Sequence, residues 1–305
     1  MPDRPERGIV FGVPRSGTTF LMRFLDASPE AECVTGNLLP IGVAHLAAQP
    51  VGAEVMETLR RSFRGSLTEY LTTAAYLSRS AALRKWWAAS RSPAELPAAA
   101  RGTRVETSLV YKEPFLAFAP DLAYEAFPES PLVYIFRDGR DVAESLVRTY
   151  EVLTDEKLTS LETNEVVIGR KVGDRYVPWW VVDGEEEQFL GGSTYVRAIL
   201  MWRAMVRSCA DLLDRPDVVA SKRILPVRYE DLVRDPVREG KRIAAHLGRE
   251  MNKRMREQLE TAHVRSVGKQ GRHQGDEAAE AERLAGPELV ALGYELRHGT
   301  DPATR

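Results

Sequence analysis

The stretch "GIVFGVPRSGTTFLMRFLD", Gly8 to Asp26, constrains this chain more than any other. Gly8–Val13 is a short, nearly continuous apolar run, the pattern of a strand buried on both faces in a parallel sheet. Beyond the loop, Phe20, Leu21, Phe24 and Leu25 recur at helical spacing, until Asp26 and "SPE" stop the helix. Strand, Gly-containing loop, helix is the opening unit of an α/β fold. Within the loop, Gly12, four residues and Gly17 match the start of a phosphate-cradling pattern. A Lys should follow, and Thr18 stands there instead; the cation sits inside the loop, at Arg15. Gly17 lets backbone N–H groups turn inward, the helix offers its positive end, and Ser16, Thr18 and Thr19 add hydroxyls. Arg15 adds a planar fork suited to oxyanions. The plainer alternative is an ordinary strand–helix turn rich in Ser and Thr.

The rest of the chain repeats the alternation. "TSLVYKEPF" holds a second strand, ended by Pro114, and "LAFAPDLAYEAFP" a helix with an internal Pro. "SPLVYIFRDGRDVAESLVRTY" holds a strand at Leu132–Phe136, a tight turn, and a helix with Val142, Leu146, Val147 and Tyr150 on one face. Thr194–Leu213 is a long amphipathic helix. "RILPVRYEDL" is a strand and a helix start, which Asp231 is placed to cap. "VREGKRIAAHLG" is a helix ended by Gly248. "VRSVGKQGRHQGDE" is a basic Gly-rich loop, and "GPELVALGYEL" a last short helix. Residues 38–102 are mainly helical. Residues 154–192 are polar, with Gly pairs, "VPWWVV" and "DGEEE", and form an insertion with a short hairpin or a mobile loop. The prediction is one domain over residues 1–305, with a central parallel sheet flanked by helices. In such sheets ligands bind beyond the carboxyl ends of the strands, where "PRSGTT", "KEP" and "RDGRD" all fall.

Bulk properties narrow the function. At 305 residues, 44% hydrophobic and 28% charged, the chain can bury a sizeable core. A net charge of −2 gives no global field for nucleic acid or an anionic membrane, so an anion site must be local. Cys33 and Cys209 make neither a disulfide framework nor a metal cluster, and read as buried free thiols of a cytoplasmic protein. The N-terminus reaches its first strand too soon for a signal peptide, and no apolar run approaches the roughly 20 residues of a membrane span. Arg over Lys and abundant Ala suggest a GC-rich bacterial genome. A nucleotide triphosphatase would want the missing Lys and a metal-binding acid after the third strand. There Arg137 precedes Asp138, so the site suits an anion held by cations and backbone, with no required metal.

These segments resemble those of sulfotransferases that use 3′-phosphoadenosine 5′-phosphosulfate (PAPS), a family of P-loop NTPase-like architecture. "VPRSGTTFLMRFLD" is similar to the family's 5′-phosphosulfate loop in its Arg-containing form, found in tyrosylprotein and many bacterial members. "YIFRDGRDVAESL" resembles the 3′-phosphate motif, with Arg137 and Ser145 eight positions apart. "VRYEDLVRDP" resembles the segment whose Tyr, here Tyr229, lies near the adenine. "YKEPF" is similar to a Lys-acid-Pro segment of tyrosylprotein sulfotransferases, and "VGKQGR" to the C-terminal part of bacterial members. The resemblance spans Val10 to Leu296. It implies transfer of a sulfuryl group from PAPS to a hydroxyl of a carbohydrate, natural product or other small molecule, releasing adenosine 3′,5′-bisphosphate. Arg15, Ser16, Gly17, Thr18, Thr19, Arg137, Ser145, Tyr229, Lys269 and Arg272 would bind the donor. Arg15 and Lys112 would stabilise charge on the leaving phosphate.

The general base is less clearly marked. The Glu that tyrosylprotein sulfotransferases place after the first helix falls here on Gly36. The His that many cytosolic members place after the Lys is absent, because Glu113 and Pro114 follow Lys112. Glu113 is the first candidate for base, with a capping acid as its structural alternative, and His45 is the second. Glu32, His263 and His273 remain open. Phe20 faces either the adenine or the core. The tryptophans of "VPWWVV" form either an acceptor-binding flap or a small core of their own. The competing functions are an ATP-dependent P-loop kinase and a catalytically inactive nucleotide-binding protein. Acceptor identity and oligomeric state are not encoded legibly.

Overall fold

Apolar runs too short for helices become the strands: β1 (Arg7–Phe11), β2 (Ala31–Thr35), β3 (Ser108–Lys112), β4 (Leu132–Phe136), β5 (Gly169–Val172), β6 (Arg175–Pro178) and β7 (Ile224–Arg228). A computed structural model of the chain describes residues 7–28, 31–35, 41–72, 93, 96–97, 108–151, 153–159, 169–261, 267–268 and 275–297. Five strands form one parallel sheet in the order β2-β3-β1-β4-β7, while β5 and β6 pair as a separate antiparallel hairpin. Four of the five sheet strands stand where the sequence puts them. β2 was not expected. Its five residues, "AECVT", are mixed in polarity and lie at the sheet edge, where no run of apolar side chains is needed.

The central strands are buried on both faces, which explains their unbroken apolar sequence. Ile9 and Phe11 join Tyr111 and Tyr134 in one core, while Val10 joins Val110, Val133 and Ile135 in the other. α1 (Thr18–Asp26) covers the second core with Leu21, Phe24 and Leu25. α2 (Ile41–Ala47) and α3 (Ala53–Thr72) follow β2. Pro114–Phe118 is a 3₁₀ turn, and α4 (Pro120–Ala126) begins afresh at Pro120, so the expected single helix is two elements. Proline fits the first helical position because its missing N–H has no partner there anyway.

α5 (Gly139–Tyr150) lies against the long α7 (Thr194–Leu213), with the short α6 (Glu186–Gly191) before it. Arg197 of α7 pins the insertion. Its guanidinium donates to the carbonyls of Phe189, Leu153 and Leu190 at 2.9, 2.9 and 2.6 Å, and to Asp155 at 2.7 Å. α8 (Pro216–Ser221) leads to β7, an edge strand carrying Pro226. α9 (Tyr229–Arg234) starts at Tyr229, so Asp231 lies inside its first turn, where it pairs with Arg234 instead of capping. α10 (Pro236–His246) and α11 (Lys253–Glu260) follow. α12 (Asp276–Ala291) is longer than the expected last helix and runs through Pro287. One lost backbone hydrogen bond there is offset by Ala281, Leu284, Ala285 and Leu289, all buried. Among the described residues, no helix is long and apolar enough to cross a membrane.

Candidate active site

The order β2-β3-β1-β4-β7 reverses at β1, so the crevice beyond its carboxyl end is the expected ligand position. The loop after β1 and the start of α5 after β4 both open there. Gly12 and Gly17 have φ of +154° and +94°. A Cβ on Gly12 would meet the Ile135 carbonyl oxygen at 2.0 Å, and one on Gly17 would meet the Tyr229 ring at 2.3 Å. Both positions therefore require glycine. Arg15 also has positive φ, 73°, which turns its side chain across the crevice.

Arg15, Gly17, Thr18, Thr19, Arg137, Ser145 and Tyr229 line one cavity of about 230 Å³. Seven residues picked from three separate segments of the sequence thus meet in space. The Arg15 Nε donates to Ser145 Oγ at 2.9 Å, and its guanidinium lies 5.4 Å over the Tyr150 ring. Arg137 donates to the Arg15 carbonyl and to Asp141 Oδ2, each at 3.2 Å, and lies 4.8 Å over the Tyr229 ring. Asp141 also accepts the Gly268 N–H at 2.8 Å, which ties the start of the basic loop to the cavity. Lys269 and Arg272, the expected donor ligands of that loop, lie outside the described residues, as do Gly36, His263 and His273.

Ser16 has a different place from its neighbours. It is fully buried, its N–H donates to the Val13 carbonyl, and its side chain is absent from the described cavity wall. Phe20 packs against the core beneath α1. Sequence reasoning missed three residues of the cavity wall, Asp141, Glu144 and Arg148. Arg148 follows Ser145 by three, so the two share a helix face, and its guanidinium lies 3.8 Å from the Glu144 carboxylate. Three guanidiniums thus face two carboxylates, Asp141 and Glu144, on the described wall.

Lys112 ends β3 and Glu113 follows it; Lys112 pairs in register with Val10, and the Glu113 N–H donates to the Val10 carbonyl. Neither is among the described residues lining the cavity. The Glu113 carboxylate caps the 3₁₀ turn by accepting the Phe115 N–H at 3.1 Å. Burial raises its pKa, against the lowering pull of that amide and of Lys112. Burial lowers the pKa of Lys112, partly offset by Glu113. His45 of α2 stacks on Trp179 at 4.8 Å with rings nearly parallel, and burial lowers its pKa. Trp180 is buried against Phe118 and Phe189. The adjacent tryptophans are therefore part of the packing between the insertion, α2 and the 3₁₀ turn. Glu32 belongs to β2, and its side chain is outside the described set. Among the described residues, no group of three or more His, Cys, Asp or Glu side chains is arranged to hold a metal ion.

Among solved structures, the chain is similar to the sulfotransferase domain of the olefin synthase of Synechococcus PCC 7002, at 19% identity over 97% of this chain and 98% of that one, with a TM-score of 0.49. It is also similar to a sulfotransferase from Alicyclobacillus acidocaldarius, at 18% identity over 96% and 97%, with a TM-score of 0.46. Retinol dehydratase, in complex with androsterone and the inactive cofactor PAP, is similar at 17% identity over 97% and 84%, with a TM-score of 0.39. A comparison with curated proteins finds no match. The model of the sulfotransferase family matches residues 9–253, which include the loop after β1, both ends of the Arg137–Ser145 motif and Tyr229, and the chain belongs to that family.

Proposed function

We propose that the protein moves the sulfuryl group of PAPS to a hydroxyl of a carbohydrate, natural product or other small molecule, releasing adenosine 3′,5′-bisphosphate. The observation that carries this reading is the Arg15–Ser145 contact, which joins two anion-binding segments 130 residues apart in one cavity. The residues fit a doubly anionic nucleotide. Gly12 and Gly17 hold the loop in a conformation that other residues would force against Ile135 and Tyr229, and Arg15, Arg137 and Arg148 bring three positive charges to the cavity beside it. Arg137 and Ser145 hold the 3′-phosphate, with Tyr229 beside the adenine. Thr18 and Thr19 lie at the positive end of α1, facing the 5′ side. When bound, PAPS supplies an activated sulfuryl group on its 5′-phosphate.

Arg15 and Lys112 hold the charge that develops on that phosphate as the bond breaks. Glu113 takes the proton of the attacking hydroxyl. Its pKa, raised by burial, moves its proton affinity toward neutral pH, as a general base requires. Lys269 and Arg272 complete the donor site from the loop that Gly268 begins. The whole chain, residues 1–305, acts as one domain, with the 154–192 insertion bordering the acceptor. Titration calorimetry with adenosine 3′,5′-bisphosphate tests the donor assignment. Wild type should bind saturably, and Arg137→Ala should lose most of the affinity, about 2–4 kcal/mol for a truncated charge partner of a phosphate. No saturable binding by wild type would remove PAPS as donor, and an Arg137→Ala variant that binds like wild type would remove the 3′-phosphate assignment.

A further inference from the structure

α12 and the segment after it lie beyond residues 9–253, the stretch that the family model matches. They are nevertheless bonded into the donor site by two arms. In the first, the Tyr294 hydroxyl donates to Glu230 Oε2 at 2.9 Å, and Glu230 Oε1 accepts the Asp138 N–H at 3.1 Å. Arg228 lies 4.2 Å over the Tyr294 ring and 3.6 Å from the same Glu230 oxygen. In the second, Glu282 of α12 pairs with Arg140 and accepts the Arg297 N–H at 2.9 Å. Arg140 in turn grips the Asp138 carboxylate through its Nε at 3.0 Å and a terminal nitrogen at 2.7 Å.

Both arms end on Asp138, one on its backbone and one on its side chain. Asp138, Arg140, Glu230, Glu282 and Tyr294 are all buried. Asp138 also caps α5 through the Arg140 N–H. A planar peptide joins it to Arg137, so any shift of Asp138 passes directly to the Arg137 backbone. A guanidinium that binds a phosphate must be held to within about 0.5 Å of its productive position.

We infer that the C-terminal segment is a latch that positions Arg137: Tyr294 and Glu282, acting through Glu230 and Arg140, set how strongly the protein selects a nucleotide bearing a 3′-phosphate. This rests on the donor reading above. None of these four side chains is assigned a contact with the nucleotide itself; they are positioning residues.

The test compares two ligands on the full-length chain by calorimetry: adenosine 3′,5′-bisphosphate and adenosine 5′-monophosphate. The ligands share adenine, ribose and 5′-phosphate, so their affinity ratio isolates the 3′ subsite. Wild type should prefer the bisphosphate. Tyr294→Phe, which removes one hydroxyl, should lose about tenfold of that preference, the order of one charge-assisted hydrogen bond, with monophosphate binding unchanged. An unchanged preference overturns the latch. So does an equal loss for both ligands, which is the mark of general loosening. Should Tyr294→Phe fail to fold, Glu282→Gln keeps the shape and the acceptor for Arg297, removes the negative charge that faces Arg140, and is held to the same criterion. Wild type that binds neither ligand, or binds both equally, removes the donor reading and the latch with it.

Discussion

Gly17→Ala should damage the donor site by two separable routes. The first is backbone strain. At φ +94°, an L-residue bears a cost of about 1–2 kcal/mol. The second is collision. The new methyl would stand 2.3 and 2.6 Å from two carbons of the Tyr229 ring, where contact distance is about 3.5 Å. The ring must move by about 1 Å, at an overpacking cost of about 1–3 kcal/mol. Together these amount to about 2–5 kcal/mol, or a fall in Tm of about 4–10 °C at roughly 2 °C per kcal/mol in a chain this size. The ring supports Arg137 from 4.8 Å, so bisphosphate affinity should fall as well. Thermal unfolding of Gly17→Ala, Tyr229→Ala and the double variant separates the routes. Without the ring only the strain remains, so the pair should be coupled by about 1–3 kcal/mol. A wild-type Tm for Gly17→Ala, or strict additivity in the double variant, refutes the reasoning.

Three further outcomes concern the buried side chains Glu113 and Arg197. The Glu113 carboxyl holds its proton more tightly folded than unfolded, because burial outweighs the pull of the Phe115 amide and Lys112. The cost of ionising it is absent below its ordinary value of 4.5 and grows as pH rises through the folded pKa. Glu113→Gln, which still accepts the Phe115 N–H, should gain Tm over wild type as pH rises from acid to neutral, and a pH-independent difference refutes this. The same variant should lose turnover with donor affinity intact, and normal turnover removes Glu113 as base. Arg197→Met leaves the Leu153, Phe189 and Leu190 carbonyls without their donor and should cost about 3 kcal/mol. A Tm within 2 °C of wild type, by the roughly 2 °C per kcal/mol used above, contradicts that accounting.

What the sequence made legible was what local chemistry determines. β1, β3 and β4 announce themselves because strands buried on both faces need nearly unbroken apolar runs, and β7, though an edge strand, keeps the apolar core "ILPV". The loop announces itself because Gly17 has no substitute beside Tyr229. β2 was hidden because an edge strand makes weaker demands on its residues. Arg148 was hidden for another reason: an Arg in the last turn of α5 reads as an ordinary complement to the helix dipole. Its spacing of three from Ser145 was the available signal. Neither the Arg15–Ser145 contact nor the arms from α12 and the segment after it to Asp138 can be seen in any window of sequence, since the bonds that tie these segments together join residues 64 to 142 positions apart. Ser16 and Glu113 show the converse. Their types suit chemistry, yet Ser16 is buried away from the described cavity wall and Glu113 serves as a cap.

Pro226 has a consequence for how the protein behaves in a crowded solution. β7 is a border of the parallel sheet, and its outer side is where a strand from another molecule would add. With Tyr134 of β4 as its registered neighbour on the inner side, Pro226 brings no N–H to the middle of that border. A docking strand would find a gap in the ladder at the centre of a five-residue template. The same ring that leaves the fold intact thus makes this flank a poor seed for aggregation, and Pro226→Val should self-associate more than the wild type as concentration rises, by light scattering.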